Sequence, residues 1–275
     1  MSETCNHDCK TCAAACGDRQ SDSQLAPMNE LSRVKKVIAV MSGKGGVGKS
    51  LVTSLLAVRL QRKGLKVGVM DADITGPSIP KLFGVHKLAQ ATEMGILPVR
   101  SELGTQLMSM NLLIGQETDP VIWRGPVVGD VVKQFWTEVV WGDVDVLLID
   151  MPPGTGDVPL TVFQSLPVDG AIVVTSPQEL VSMIVQKSVK MAQKMNVPIL
   201  GLVENMSYLQ CSDCGEIVHP FGDSHVDEIA AAYGLEVLAK LPIDRQFALA
   251  CDRGLIEGAN TTWLDPVADR LEAML

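Results

Sequence analysis

The residues with the clearest chemistry form a glycine-rich loop at positions 43–50, which reads G-K-G-G-V-G-K-S and follows the apolar run 37–41. This pattern matches G-x-x-x-x-G-K-[ST] between a strand and a helix, where backbone amides surround phosphate oxygens. Its lysine reaches the β- and γ-phosphates, and its final hydroxyl ligates Mg²⁺. The sequence therefore predicts a site for ATP and Mg²⁺ formed by Gly43, Lys44, Gly45, Gly46, Val47, Gly48, Lys49 and Ser50.

Carboxylates follow two aliphatic runs of the chain. Asp71 and Asp73 follow the run V-G-V-M, and Asp150 follows the run V-D-V-L-L-I. A carboxylate at the carboxyl end of a parallel strand faces the nucleotide, where it can hold Mg²⁺ or order the attacking water. We expect Asp150 and Asp71 to contact the metal ion together with Ser50. Each aspartate taken alone could instead be the N-cap of a helix.

Six of the seven cysteines fall into two close groups. In a reducing compartment such spacing argues for metal or redox chemistry over structural disulfides. The carboxyl-terminal pair is half of a four-thiolate set, whereas the amino-terminal four could surround one metal centre unaided. Each group could hold either an iron–sulfur cluster or zinc. The carboxyl-terminal pair could instead form a redox disulfide, and the amino-terminal four could belong to a tail without metal. The groups are Cys5, Cys9, Cys12 and Cys16, then Cys211 and Cys214, while Cys251 stands alone and is expected to be a buried small hydrophobe.

Two regions of different composition must position these groups. Residues 1–30 are cysteine-rich and then polar, which predicts a metal-binding tail followed by a flexible linker. Residues 31–275 alternate short aliphatic runs with helical stretches, which predicts a doubly wound α/β domain with a mostly parallel sheet and helices on both faces. Strands are expected at 37–41, 66–70, 105–110, 144–149, 170–175, 199–203 and 236–241, and helices near 48–63, 126–140, 157–166, 178–195, 223–233 and 263–274.

The overall composition limits the classes of partner. The chain has 275 residues, a formal net charge of −9 and 47% hydrophobic residues. An acidic chain is a poor general binder of nucleic acid, and no apolar run approaches the length of a membrane span. The first 30 residues also lack the apolar segment of a signal peptide. We therefore expect a cytoplasmic protein that binds neither nucleic acid nor membranes.

The phosphate loop resembles the deviant Walker A class, because Lys44 adds a second cation in the pattern K-G-G-x-G-K-[ST]. That class includes nitrogenase iron protein, the MinD and ParA positioning ATPases, and the Mrp/ApbC family. In this class the first lysine crosses a dimer interface to the partner's nucleotide. The resemblance therefore implies an ATP-sensitive homodimer, in which Lys44 and Lys49 act on the phosphates and Asp73 positions water or contacts the metal.

Four further blocks narrow the resemblance to the Mrp/ApbC family over residues 34–258. They read D-A-D-I-T-G-P-S at 71–78, W-R-G-P at 123–126, D-M-P-P-G-T-G-D at 150–157 and E-N-M-S-Y at 204–208, the last of which shortly precedes C-S-D-C. Members of this family bind and transfer iron–sulfur clusters. The resemblance implies hand-over of a cluster to apo iron–sulfur client proteins, linked loosely to ATP.

The same resemblance assigns roles to residues outside the phosphate loop. Asn205 and the nearby Pro242 are expected at the adenine, although an asparagine is equally suited to a turn. Cys211 and Cys214 are expected to bridge a [4Fe–4S] cluster between two protomers. Eukaryotic scaffold relatives also carry an amino-terminal four-cysteine site with different spacing, so a second cluster is expected on Cys5, Cys9, Cys12 and Cys16.

Two other functions share parts of this pattern. A MinD- or ParA-like positioning ATPase would use the cysteines as structural zinc knuckles, and a reductase similar to nitrogenase iron protein would donate electrons from its bridging cluster. The D-x-P-P-G-T-G-D block and the C-x-x-C pair favour the carrier over both alternatives.

Overall fold

The computed structural model describes residues 25–114, 125–177, 181–211 and 213–275. The four amino-terminal cysteines lie outside the described residues, as do most of the predicted tail and linker, Trp123, Arg124 and the first residues of the helix predicted from 178. The described strands are β1 (Arg33–Met41), β2 (Val67–Asp71), β3 (Gln90–Thr92), β4 (Gly95–Leu97), β5 (Val99–Arg100), β6 (Gln106–Met108), β7 (Asp143–Asp150), β8 (Gly170–Thr175), β9 (Ile199–Gln210), β10 (Ile217–Val218) and β11 (Val237–Pro242). The described helices are α1 (Lys49–Arg62), α2 (Ile79–Leu82), α3 (Gly125–Thr137), α4 (Asp157–Ser165), α5 (Val181–Lys194), α6 (Val226–Ala232), α7 (Arg245–Arg253) and α8 (Asp265–Glu272).

The main sheet has the strand order β10-β9-β8-β1-β7-β2-β6-β5, and β11 also pairs with β9. The pairings that join β1, β2, β6, β7, β8, β9 and β11 are parallel. Antiparallel pairing joins β5 to β6 and β10 to β9, and β3 and β4 form a separate antiparallel pair. The chain thus builds outward from β1 in both directions, which confirms the predicted doubly wound, mostly parallel α/β fold.

Helices cover both faces of the sheet because its central strands are apolar on both faces. Along β1, Val37, Ala39 and Met41 belong to one core with residues of α3, α4, α5 and α6. The alternate residues Ile38 and Val40 belong to a second core with residues of α1, α2, α7 and α8. Successive side chains of a strand point to opposite faces, so an unbroken aliphatic run is the signature of this double burial. None of the helices in the described ranges has the length and apolar composition needed to cross a membrane.

The sheet brings the predicted acidic residues to one edge. Since β1, β7 and β2 are adjacent and parallel, their carboxyl ends place the loop 42–48, Asp150 and Asp71 side by side. The register pairs Asp150 with Val40 on one side and with Asp71 on the other. The crevice beyond these strand ends is where ligands bind in open α/β sheets.

Several elements differ from the expected pattern. Strand β9 continues past the predicted 199–203 to Gln210, and the strand predicted at 105–110 is the shorter β6, followed by a 3₁₀ turn at Met110–Leu112. Helix α7 was not predicted, although Asp244 caps its first turn by accepting the Gln246 amide at 2.7 Å.

The residues before β1 lie against the domain. The amide of Ala26 donates to the Ser165 carbonyl at 2.7 Å, and the indole of Trp136 donates to the Ala26 carbonyl at 3.0 Å. Ala26 and Met28 also pack against the core that contains α3 and α4. The division of the chain at residue 30 stays a prediction.

Candidate nucleotide site and cysteine hairpin

Residues 42–48 form a tight turn between β1 and α1. Gly46 and Gly48 have φ angles of 82° and 78°, a region that side-chain-bearing residues rarely adopt. Gly48 is the N-cap of α1, so the positive end of the helix dipole faces the turn. A cavity of about 270 Å³ lies over the turn, lined by Ser42, residues 44–51, Asp73, Ser78, Leu82 and Pro153. The loop therefore has the backbone geometry that phosphate binding requires, and of the predicted loop residues only Gly43 is absent from the lining.

The side chains that begin α1 are bonded to the end of β7. Lys49 Nζ lies 2.7 Å from Asp150 Oδ2, and the exposed fractions of the two side chains are 6% and 0%. Ser50 Oγ donates to the same oxygen at 2.6 Å, and Thr53 Oγ1 donates to Asp150 Oδ1 at 2.7 Å. The lysine, hydroxyl and carboxylate expected at the phosphates and Mg²⁺ are thus within one hydrogen-bonded group. Thr53 was missed, although its place one helical turn after Lys49 puts it on the same face.

The loop after β7 lies against the phosphate loop. The Gly154 amide donates to the Ser42 carbonyl at 2.8 Å, and a Cβ placed on Gly45 would contact the Pro153 ring at 3.9 Å. This contact joins the D-M-P-P-G-T-G-D block to the turn that would hold the phosphates. A rearrangement of either loop would therefore change the contacts of the other.

Asp71 organises the next loop from a fully buried position. Its Oδ2 accepts the amides of Ser78 and Ile79 at 3.0 and 3.2 Å and the Ser109 hydroxyl at 3.1 Å. Its Oδ1 accepts the Asp73 amide at 3.2 Å. Burial, reinforced by the charge of Asp150, raises the pKa of Asp71 to about 7. Because both oxygens are already occupied, Asp71 holds the 73–79 loop, and its predicted contact with Mg²⁺ stays a prediction.

Asp73 lies in that loop at the edge of the phosphate cavity. It is partly exposed, and burial raises the pKa of its carboxyl above the ordinary value. Its Oδ1 accepts from the Thr75 hydroxyl and the Gly76 amide, each at 3.3 Å. These donors fix the direction of the carboxylate and leave Oδ2 for a water molecule or a metal-bound water.

Asn205 and Pro242 lie on β9 and β11, which are paired with each other. Asn205 is 1% exposed and its amide donates to the Val47 carbonyl at 2.9 Å, directly beside the phosphate loop. Pro242 is buried opposite Tyr208. Neither residue lines the phosphate cavity. The structure therefore places Asn205 against the loop itself, and the adenine contact of both residues stays a prediction.

Cys211 and Cys214 form the turn of a hairpin between β9 and β10. Cys211 is partly exposed and Cys214 is exposed. The Cys211 amide donates to the Glu216 carbonyl at 2.8 Å, and the Gly215 amide donates to the Cys211 carbonyl at 2.9 Å. Hydrogen bonds from the backbone of Cys214 and then of Asp213 lower the pKa of the Cys211 thiol. These amides favour the thiolate, which is the form that binds metals.

Among the described residues, the cysteine pair is an incomplete metal site. Within this part of the chain no group of three or more histidine, cysteine, aspartate or glutamate side chains is placed to hold a metal ion. Two thiolates leave two positions of a four-thiolate site to be filled from elsewhere. Cys251 lies apart on α7, where burial raises the pKa of its thiol.

Most of the chain matches one family of known proteins. Residues 33–270 match the model of the ParA-type family described as NUBPL iron-transfer P-loop NTPase. A protein of Clostridium perfringens called iron-sulfur cluster carrier protein is 47% identical over 82% of this chain and 81% of its own. A protein of the same name from Methanocaldococcus jannaschii is 44% identical over 91% and 89%. The chain belongs to this iron-transfer P-loop NTPase family. It is an ATPase, and its resemblance to the Mrp/ApbC proteins is confirmed.

Solved structures support the same placement for this iron-transfer-family ATPase. A nucleotide-binding protein in complex with ADP from Archaeoglobus fulgidus is 42% identical, with a TM-score of 0.76 over 84% of this chain and 91% of its own. The cell division ATPase MinD of Pyrococcus furiosus has a TM-score of 0.64 over 88% and 100%, but is only 19% identical. The second likeness concerns the fold alone.

We predict that Gly48→Ala weakens ADP binding of this ATPase at least about tenfold. A Cβ at Gly48 would lie 2.2 Å from the Asn205 amide nitrogen, and the φ of 78° adds strain of about 1–3 kcal/mol. Gly142→Ala is the matched control, because its φ is 63° but nothing lies within 4 Å of the added Cβ. Titration calorimetry with ADP checks both variants. Equal affinity of Gly48→Ala and the unaltered protein would show that the loop does not bind the nucleotide through this backbone.

We also predict a pH-dependent stability that originates at Asp71. Its carboxyl has a pKa of about 7 in the fold against an ordinary value of 3.8. Between these values the native state binds more protons than the unfolded state, so the free energy of unfolding falls as pH rises from about 4 to about 7. Asp71→Asn removes this titration, and the stability of the unaltered protein relative to this variant should fall from pH 5 to pH 8.

Urea unfolding without nucleotide or Mg²⁺ measures this difference. Asp145→Asn is the control, because the hydrogen bond from Lys35 lowers the pKa of Asp145, whose titration then lies below this pH range. Its offset from the unaltered protein should stay constant from pH 5 to pH 8. A constant offset for Asp71→Asn as well would contradict the raised pKa of Asp71.

Proposed function

We propose that this ATPase carries iron–sulfur clusters as a homodimer, holds a [4Fe–4S] cluster between the Cys211–Cys214 pairs of two protomers, and delivers it to apo-proteins. The observation that carries the proposal is the exposed cysteine hairpin at the end of β9, a strand whose residue Asn205 contacts the phosphate loop. The names of the curated relatives point to the same cargo.

The hairpin suits a cargo that must be released. Its amides stabilise the Cys211 thiolate, and it projects from the edge of the sheet, where β10 pairs with β9. Apolar side chains around it are exposed, with Leu209, Ile217, Val218 and Phe221 between 40% and 55% accessible. A second copy of the chain would supply the missing thiolates and cover this surface at once.

ATP hydrolysis at the nucleotide site would drive loading or delivery of the cluster. The turn amides and Lys49 would bind the phosphates, while Ser50 and, through water, Asp150 would hold Mg²⁺. A Mg²⁺ ion held there would supply positive charge that offsets the negative charge of the phosphates. Asp73 orients the attacking water with its free oxygen. Lys44 is exposed beside the cavity, from which it could reach the nucleotide of a second protomer, as the resemblance to the deviant Walker A class implies.

Cluster loading provides the first prediction of this function. Protein purified without oxygen should contain about two iron and two sulfide ions per chain for one shared cluster, or about six of each if the amino-terminal cysteines hold a second one. Cys211→Ser and Cys214→Ser should each remove the shared cluster, whereas Cys251→Ser should not. Iron, acid-labile sulfide and zinc are measured per chain. Zinc without sulfide after attempted reconstitution would reject the carrier and leave an ATPase with structural metal knuckles.

Coupling between ATP and delivery provides the second prediction. ATP should change the transfer rate to an apo-ferredoxin by about tenfold in the unaltered protein, and Lys49→Ala should abolish that response. Lys36→Ala is the control, because it breaks a lysine–aspartate pair with Asp169 at 3.1 Å remote from the nucleotide. Transfer is followed by the visible absorbance of the recipient. Delivery by Lys49→Ala at the full rate with and without ATP would separate hydrolysis from delivery.

A further inference from the structure

Strand β9 is a direct connection between the phosphate loop and the cysteine hairpin. Its first half lies in the sheet between β8 and β11, and its end pairs with β10. Cys211 follows Asn205 by six positions, which correspond to at most about 20 Å of chain. A displacement of β9 beside the phosphate loop can therefore reach the cysteines without passing through another element.

A bulge interrupts β9 at residues 205–207, which we call the β9 bulge. Glu204 pairs with Lys240 of β11, but the next paired residues are Tyr208 and Pro242, so the step is four residues in β9 and two in β11. Within the bulge Met206 has a φ of 57°, which is uncommon for a residue with a side chain. Bulges of this kind re-aim side chains next to active sites. This one aims Asn205 at the phosphate loop.

One side of the β9 bulge packs on the phosphate loop. The Asn205 amide donates to the Val47 carbonyl at 2.9 Å. A Cβ on Gly48 would lie 2.2 Å from the Asn205 amide nitrogen and 3.7 Å from Met206 Cε. The peptide between Val47 and Gly48 is therefore bonded to Asn205 of the bulge, and it lies in the part of the loop that would surround phosphate.

The other side of the β9 bulge holds the return arm of the cysteine hairpin, residues 219–224. The buried carboxylate of Glu204 accepts the Ser207 hydroxyl at 2.5 Å and the Ser224 hydroxyl at 2.7 Å. His219 Nδ1 lies 3.3 Å from the Ser207 carbonyl oxygen. Ser207 of the bulge and Ser224 of the return arm thus donate to the same carboxylate, that of Glu204. These bonds join the hairpin to β9 next to the point where β9 contacts the phosphate loop.

We propose that the β9 bulge couples nucleotide occupancy to the cysteine pair, with Glu204, Ser207 and Ser224 as positioning residues. Bound phosphate fixes the peptide between Val47 and Gly48, which fixes Asn205 and through Glu204 restrains the return arm of the hairpin. The turn then opens less often around Cys211, which is only partly exposed, and the Cys211 thiol reacts more slowly. A nucleotide shifts such an equilibrium only because it interacts differently with the two arrangements. The inference rests on the proposed function in one respect, which is that the cysteine pair holds the cargo.

Cysteine alkylation in the full-length, reduced and cluster-free protein tests the coupling. Iodoacetamide is added with and without Mg·ADP, and the modification of each cysteine is followed by mass spectrometry of its peptide. Mg·ADP should slow alkylation of Cys211 about fivefold or more in the unaltered protein, and the more exposed Cys214 should respond less. Cys251, on the separate helix α7, should react at the same rate in both conditions.

Ser224→Ala removes the Glu204 bond to the return arm without replacing any residue of the phosphate loop or either cysteine. In this variant the rates with and without Mg·ADP should agree within about twofold, while the affinity for ADP is retained. Ser101→Ala is the matched control, because it deletes a similar serine–glutamate bond, to Glu257 at 2.6 Å, and it should keep the full response. Glu204→Gln is a second test of the same link and should also reduce the response.

The outcomes separate the coupling from the proposed function. Binding of Mg·ADP without any effect on the two thiols of the unaltered protein would overturn the coupling, and so would a full effect in both Ser224→Ala and Glu204→Gln. Light scattering at the alkylation concentration must give the same mass with and without Mg·ADP, since dimer formation would protect the thiols by another route. Failure of cluster loading would instead remove the proposed cargo and leave the thiol response intact.

Discussion

The buried ion pair between Lys49 and Asp150 is the interaction on which the arrangement of the site depends. Both side chains are almost completely removed from solvent and their charged atoms are 2.7 Å apart. A single buried charge at either position would be strongly destabilising, so each residue requires the other. The pair joins the start of α1 to the end of β7 and thereby holds the phosphate loop over the edge of the sheet. Ser50 and Thr53 complete the hydrogen bonds of the carboxylate.

This pairing explains why a metal–nucleotide complex is a suitable ligand for the loop. Phosphate alone would take Lys49 from Asp150 and leave a buried carboxylate without a counterion. Asp150 and Ser50 would hold Mg²⁺ bound together with the phosphates, which would give the carboxylate a new counterion. The neighbouring Asp71 adds a second carboxylate at the same level of the sheet, and its raised pKa lowers the negative charge beside Asp150 near neutral pH. The site is thus electrostatically matched to an anion and a cation together.

The parts of this structure that depend on local sequence patterns were predictable, and those that depend on distant contacts were not. Aliphatic runs located the central strands, and the glycine–lysine pattern located the turn before α1, because burial on both faces and positive φ angles leave direct marks in the sequence. Helix α7 carries such marks as well, since Asp244 is its N-cap and Gly254 is its C-cap, so this helix was predictable from local sequence although it was missed. The Asn205 contact with Val47 joins residues 158 positions apart, and no local pattern reports it. Strand β9 was predicted too short for a related reason, since Met206 adopts a backbone angle that a period of two does not anticipate.

The incomplete cysteine site suits its position on β9, the strand that also contacts the phosphate loop. On the carrier proposal, a cluster held by one chain would lack half of its thiolates and be open to solvent, so retention must depend on association of two chains. Association at that surface would bear directly on the hairpin, and the hairpin is bonded through Glu204 to the strand that touches the phosphate loop. By linkage, if the nucleotide changes the affinity of the cysteine pair for its cargo, the cargo changes the affinity for the nucleotide by the same factor. A loaded dimer and an empty monomer would therefore hold the nucleotide differently, so that the cargo itself would help to set when the phosphate loop retains or releases its ligand.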